Sequence, residues 1–192
     1  MRIRFLSLII FILIMASVAI AQTTALDFLN RGNERRANDD LASAVADFTK
    51  AIELDPKFAE AYYQRGSARN WAKDYDGAIA DYTKVIELKP KYPYVYHARG
   101  LALHAKNDLD GAIADYTKNI KRNRKHTVSI YSRGLARESK KDYDGAIADF
   151  TKAIELNPSA TFYLKRAETY RKAGKFARAE ADEKRAAELK GS

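Results

Sequence analysis

The sequence predicts an all-α solenoid of five helical hairpins, and three observations predict it. The first is repetition: the stretch Asp74 to Lys84 returns as Asp108 to Lys118 and as Asp142 to Lys152, with a worn copy at Asp40 to Lys50. Its alanines, Ala44, Ala78, Ala112 and Ala146, stand 34 residues apart. Self-similarity at a fixed period of this size makes a chain a stack of one supersecondary unit. The second is that each copy carries two apolar patterns, spaced by three and four residues as one face of a helix requires, with a short polar break between them. The third is punctuation. Asp74, Asp108 and Asp142 stand where an N-cap side chain satisfies free backbone N–H groups, and Pro56, Pro90 and Pro158 close the second helix of their units.

Taken in order, the chain opens on Arg2 and Arg4, an apolar run from Phe5 to Ile20, and Ala19-Ile20-Ala21. That order of basic, apolar and small residues is the pattern of a secretory signal peptide, so residues 1–21 are expected to be removed between Ala21 and Gln22. An uncleaved anchor is the alternative, although the run is slightly short of the roughly 20 residues that span a bilayer. The remaining residues, 22–192, form the repeat domain, which is therefore expected to be periplasmic or secreted. The chain has no cysteine, which excludes disulfides, thiol catalysis and cysteine-held metals. Its formal net charge of +9 would suit nucleic acid. Export argues against that partner and leaves anionic envelope surfaces or acidic proteins.

The five units run approximately 25–58, 59–92, 93–126, 127–159 and 160–189. In the second, Ala61, Tyr62, Ala68 and Trp71 mark the first helix, and Ala78, Ile79, Tyr82, Val85, Ile86 and Leu88 the second. Small residues recur in the first helices at Gly32, Gly66, Gly100, Gly134 and Ala167, and in the second at the alanines and Ala179. Glycine inside a helix costs about 0.8–1 kcal/mol relative to alanine. Its recurrence predicts close approach of glycine to alanine, with Phe48, Tyr82, Tyr116 and Phe150 filling the wider space one turn on. Unit three lacks the closing proline and has Asn123-Arg124 there, a weaker stop by that criterion. The charged last helix, with Glu183 at the aromatic position, reads as the polar cap of the stack.

These units resemble tetratricopeptide repeats. The family pattern of a small residue, Ala-x-x-x-aromatic and a closing proline stands here as Gly66, Ala78, Tyr82 and Pro90, and as Gly134, Ala146, Phe150 and Pro158. The Arg-Gly and Ala-Ile-Ala-Asp-Tyr wording is similar to repeat proteins common in bacterial genomes. The resemblance covers nearly all of residues 25–189. It implies a right-handed superhelix of helical hairpins whose concave groove binds a peptide or protein. Arg35 and Glu183 depart from the pattern, each standing where the family often has an aromatic residue.

Two charged columns recur with the period. Arg31, Arg65, Arg99, Arg133 and Arg166 precede the small residue, and Asp47, Asp81, Asp115, Asp149 and Asp182 precede the second-helix aromatic or Glu183. Either could be a binding ladder. A guanidinium fork pairing with a carboxylate, within a hairpin or from one to the next, fits the packing period better. The paired acids Asp74/Asp76 and Asp142/Asp144 are accounted for by capping and the helix dipole, and no catalytic residues are assigned. His97 and His104 lie about 10 Å apart along one helix, too far to share a metal, so no metal or other cofactor is expected.

Residues that break the repeat are the better functional candidates. The resemblance places the groove on the first helices, which assigns to it Asn33, Arg36, Tyr63, Asn70, Trp71, Tyr94, His97, Leu101, His104, Tyr131, Leu135 and Glu138, with Glu168 and Arg171 at the far end. Tyrosine, tryptophan and histidine supply contact area with a polar tip. Trp71 fits equally a groove residue and a packing residue between hairpins. The positions that hold a chaperone C-terminal carboxylate in some family members correspond to Leu29, Asn33, Gln64, Tyr94 and Ala98, and only Asn33 suits that ligand. The run Lys121 to His126 is a solvated loop or a contact for acidic surfaces. The expected function is a non-catalytic exported scaffold for a protein or peptide. The rivals are an envelope glycan or surface-polymer binder and a noncatalytic subunit of an envelope complex. The partner's identity and the oligomeric state stay open.

Overall fold

A computed structural model of the chain describes residues 25–191, and the expected signal segment lies outside them. The described residues are helical with no strand, and they form two compact units that divide at Tyr92/Pro93. The first contains α1 (25–37), α2 (Leu41–Leu54), α3 (Ala59–Trp71) and α4 (Tyr75–Leu88). The second contains α5 (Val95–Ala105), α6 (Leu109–Arg122), α7 (Thr127–Ser139), α8 (Tyr143–Leu156), α9 (Ala160–Lys172) and α10 (Phe176–Gly191). Within each unit consecutive helices pack on one another, so the first holds two hairpins and the second three. Among the described residues no helix is long and apolar enough to cross a membrane.

The turn inside each of the first four hairpins is built by one residue acting twice. Asp74 N–H donates to Arg69 C=O at 2.8 Å, closing α3, and the Asp74 carboxylate accepts from Gly77 N–H at 3.0 Å, opening α4. Asp40, Asp108 and Asp142 do the same, with backbone bonds of 2.8–2.9 Å. The closing bond reaches back five residues, the Schellman arrangement, which needs a left-handed residue just before it. That residue is Asp39, Lys73, Asn107 or Lys141, at φ of 62–67°, and only the fifth turn has a glycine there, Gly174.

Two expectations are corrected. The glycines of the first helices face the aromatic rings rather than the alanines. A Cβ at Gly32, Gly100 or Gly134 would lie 2.5, 2.7 or 2.6 Å from the ring of Phe48, Tyr116 or Phe150, and one at Gly66 3.0 Å from Tyr82. The glycine is the space in which the ring sits. The closing turn of unit three is no weaker than the others, because Asn123 adopts φ −134°, ψ 92°, matching Asp55 at −134°, 93°. Its Oδ1 accepts from Lys125 N–H at 3.1 Å as Asp55 Oδ1 accepts from Lys57 N–H at 2.9 Å. A side-chain acceptor shapes the turn there without proline.

The arginine and aspartate columns meet in all five hairpins. Arg65 closes a two-bond fork on Asp81 at 3.0 and 2.7 Å, and Arg31–Asp47, Arg99–Asp115, Arg133–Asp149 and Arg166–Asp182 repeat it. The third donor group of Arg65, Arg133 and Arg166 reaches Thr49, Thr117 and Thr151 of the preceding hairpin at 3.1, 3.1 and 2.8 Å. Each such arginine thus ties its own hairpin shut and links it to the one before. A second arginine, Arg35, Arg69 or Arg137, joins the same carboxylate in three of the hairpins at 2.8–3.0 Å. The repeat pattern does not announce that second arginine, since its column reads Leu103 in unit three and Tyr170 in unit five.

Candidate functional site

With 3.6 residues per turn, positions three, four and seven apart share one helix face. In α3 this groups Glu60, Tyr63, Ser67, Asn70 and Trp71, and in α1 Asn33, Arg36 and Ala37. Arg36 donates to Ser67 Oγ at 3.1 Å, which fastens α1 to α3 along this face. Tyr63 packs against Tyr82 at 5.5 Å and Tyr92 at 5.0 Å between ring centres. The Tyr92 hydroxyl donates a short hydrogen bond to Glu60, and burial and that acidic neighbour push its pKa up, so it remains a donor. Asn33 and Asn70 are half-buried. Trp71 does not pack between hairpins: it is 73% exposed and borders a cleft of about 350 Å³ with Arg36, Ala37, Asp39 and Leu41.

The equivalent face of the second unit is built differently. Tyr94 is 49% exposed and left-handed at φ 56°, and it stacks on His126 at 4.8 Å. His126 meets His97 edge-on at 5.2 Å, and His97 lies against Tyr116 at 5.6 Å. Beneath them Ser129 Oγ stands 3.0 Å from His97 Nδ1 and 2.7 Å from His126 Nδ1, and Asn119 Nδ2 donates to Ser129 Oγ at 2.8 Å. His126, read as loop, therefore belongs to this face. The signal was present in the repeat columns: Asn119 replaces Val85 and Ala153, His126 replaces Tyr92, and Ser129 replaces Val95. Leu101 is exposed, while His104 is half-buried and its pKa is lowered by burial.

Tyr131 packs on Phe150 at 5.4 Å and Phe162 at 4.9 Å, with Leu135 half-buried one turn on. Glu138 is buried, and its carboxylate is taken by Lys165 and Lys172 at 2.8 Å each and by Thr169 Oγ1 at 3.3 Å. It serves the scaffold, and the polar groups it leaves facing outward are Lys172 and Glu168. Hydrogen bonds from Lys165 and Lys172 hold Glu168 below the usual carboxylate range. Arg171 is held by Glu183 at 2.8 Å. Among the described residues no group of three or more His, Cys, Asp or Glu side chains is placed to hold a metal ion.

The histidine cluster makes a pH prediction. Burial, and then the neighbouring His126, hold the His97 imidazole down at about 4. In the unfolded chain it titrates near 6.5, so the unfolded state takes up the proton first as pH falls. The stability tied to neutral His97 is present above about pH 6.5 and lost on the way to pH 4, by about 2–3 kcal/mol. His97→Tyr, which restores the residue of Tyr63 and Tyr131, should flatten urea stability between pH 6.5 and 4 relative to the native chain. An unchanged slope would remove His97 as its source.

Comparison with known proteins agrees with this architecture. Family models described as TPR repeat match residues 32–69 and 72–107, and models described as tetratricopeptide repeat match 93–126 and 128–159. A crystal structure of MamA is similar with a TM-score of 0.82 and 22% identity, covering 88% of this chain and 92% of that one. MamA from Desulfovibrio magneticus RS-1 gives 0.83 and 18%, covering 87% and 95%. YrrB, a TPR protein with an unusual peptide-binding site, gives 0.76 and 20%, covering 93% and 92%. No curated protein sequence matches the chain.

Proposed function

The chain belongs to the tetratricopeptide repeat family, and from that premise we propose that it is an exported, non-catalytic scaffold that binds a protein or peptide partner on its first-helix face. The observation that carries the reading is Trp71, a large apolar ring 73% exposed, at a cleft it lines together with Arg36 and within the roughly 300–1,000 Å³ range of ligand sites. Tryptophan and arginine are the residue types that most often dominate binding energy at interfaces. Here the ring's neighbours Ala37 and Leu41 give an apolar wall, and Asp39 with Arg36 gives a charged rim that can orient a backbone or side chain. The YrrB likeness supports a peptide as the form of the ligand. The basic and apolar start of the chain supports export.

Trp71 is the chain's one tryptophan, so its fluorescence reports this cleft alone. Proteins captured from a periplasmic fraction by the full-length chain should be lost with Trp71→Ala. Peptides from the captured partner should shift Trp71 emission to the blue. Arg36→Ala should weaken their binding by about tenfold or more. Capture that is indifferent to both substitutions would refute the assignment of this face. Sequencing the mature N-terminus tests export separately, with Gln22 as the expected first residue.

A further inference from the structure

The side of α7 that faces away from Tyr131 and Leu135 carries Ile130, Arg133 and Arg137, about half a helical turn round. There α6, α7 and α8 enclose a cleft of about 480 Å³ whose charged lining is Lys121, Arg124, Arg133, Arg137 and Lys152 against the single acid Asp149. Arg133 and Arg137 already close on Asp149, so they form the floor. Lys121 and Arg124, exposed at the rim, have no acidic partner among the described residues.

Those two rim residues are where the repeat is broken. The place of Lys121 is taken by Glu53, Glu87 and Glu155 in the other units, and that of Arg124 by Pro56, Pro90 and Pro158. Each of those glutamates pairs with the lysine three residues before it, Lys50, Lys84 or Lys152, at 2.8–3.0 Å. In unit three the same pairing is reversed into a second cation, and Lys118 lies over the Tyr96 ring instead. The corresponding positions between α2, α3 and α4 hold Glu53, Pro56 and Tyr62, so the first unit lacks the two rim cations and has a larger ring in the place of Ile130.

We infer that the cleft between α6, α7 and α8 is a second binding site, and that its ligand is an acidic peptide segment with apolar residues between its carboxylates. The cations are distributed over three helices along the cleft instead of converging on one point, and the guanidinium forks that could clamp a single phosphate are closed on Asp149. Ile120 and Ala148 supply apolar lining among these charges, over Ile130 buried beneath, which suits alternate side chains of an extended chain. Rim cations of this kind set on-rate and salt dependence as well as affinity.

The test is fluorescence anisotropy of the full-length chain with a fluorescein-labelled octapeptide of alternating glutamate and leucine. Saturable binding is expected, weakening as ionic strength rises. Lys121→Glu with Arg124→Pro should weaken it by about tenfold or more. That variant carries the residues the other units already have, so its melting temperature should be unchanged; Lys121→Gln with Arg124→Gln serves if it is not. Trp71→Ala should leave the peptide's affinity as it was, which separates this cleft from the first-helix face. The inference is overturned by absent binding, by equal binding of the double variant, or by equal binding of the glutamine-for-glutamate peptide. It is also overturned if inorganic phosphate displaces the peptide better than chloride of equal ionic strength, or if phosphatidylglycerol vesicles bind the chain through Lys121 and Arg124 while the peptide does not.

Discussion

Asp149→Ala should destabilise the chain by about 3–5 kcal/mol, measured as a lowered urea midpoint with the native chain as reference. The Asp149 carboxylate is 5% exposed and accepts from Arg133 at 3.0 and 2.6 Å and from Arg137 at 2.8 Å. Its removal leaves the guanidinium groups of two arginines, whose side chains are 17% and 26% exposed, facing a methyl group. Water reaches them only in part, so much of their desolvation cost loses its compensation. The loss also spreads along the stack, because Arg133 holds Thr117 of the preceding hairpin from the same fork. Asp149→Asn keeps the shape and one good acceptor and should cost roughly half as much, since charge-assisted bonds are about twice as strong as neutral ones. Glu155→Ala is the contrasting case. Its pair with Lys152 has both partners more than half exposed, and such pairs contribute about 0–1 kcal/mol. A cost for Asp149→Ala no larger than that of Glu155→Ala would show that the column contributes little to folding.

The contrast between these pairs also explains which parts of the molecule are legible in the residues. What recurs with the period can be read: the helices and the arginine–aspartate pairs appear in all five units and the aspartate caps in the first four. Each copy is an independent witness to the same local physics. The second arginines escape that reading because Leu103 and Tyr170 interrupt their column. The left-handed turn residues escape it because Asp39, Lys73, Asn107 and Lys141 share a conformation without sharing a residue type. The candidate site is harder for a deeper reason. His97, His126, Ser129 and Asn119 are one cluster only after α5, α6 and α7 have packed, and their spacing in the chain carries no single-helix signal. Trp71 shows the same limit from the other side. Its helical position suits burial and exposure equally, and only the packed hairpins leave it at a cleft with Arg36.

Phe150→Ala should cost about 3–5 kcal/mol, because the ring is fully buried and its loss leaves a cavity against Tyr131. The more incisive result concerns its partner glycine. Gly134→Ala places a methyl 2.6 Å from Phe150 Cε1 and 3.0 Å from Cδ1, and the ring cannot retreat because Tyr131 packs on it. Overpacking of this kind costs about 1–3 kcal/mol, against a gain of about 0.8–1 kcal/mol in helix propensity. In the native background the substitution should therefore stabilise nothing and should destabilise by up to about 2 kcal/mol. With Phe150→Ala already made, the clash is gone and only the propensity gain remains, so Gly134→Ala should stabilise by about 0.8–1 kcal/mol. The chain contains its own precedent: unit five has Ala167 at the glycine position and Glu183 at the ring position, and Ala167 is buried there against Ala179 and Tyr170. Glycine and ring are present together in four units and absent together in the fifth. Four urea unfolding curves, for the native chain, each single variant and the double, measure the coupling directly. If Gly134→Ala has the same effect with and without the ring, the glycine is not there to accommodate it, and the account of how these hairpins close would have to be rebuilt on the alanine contacts instead.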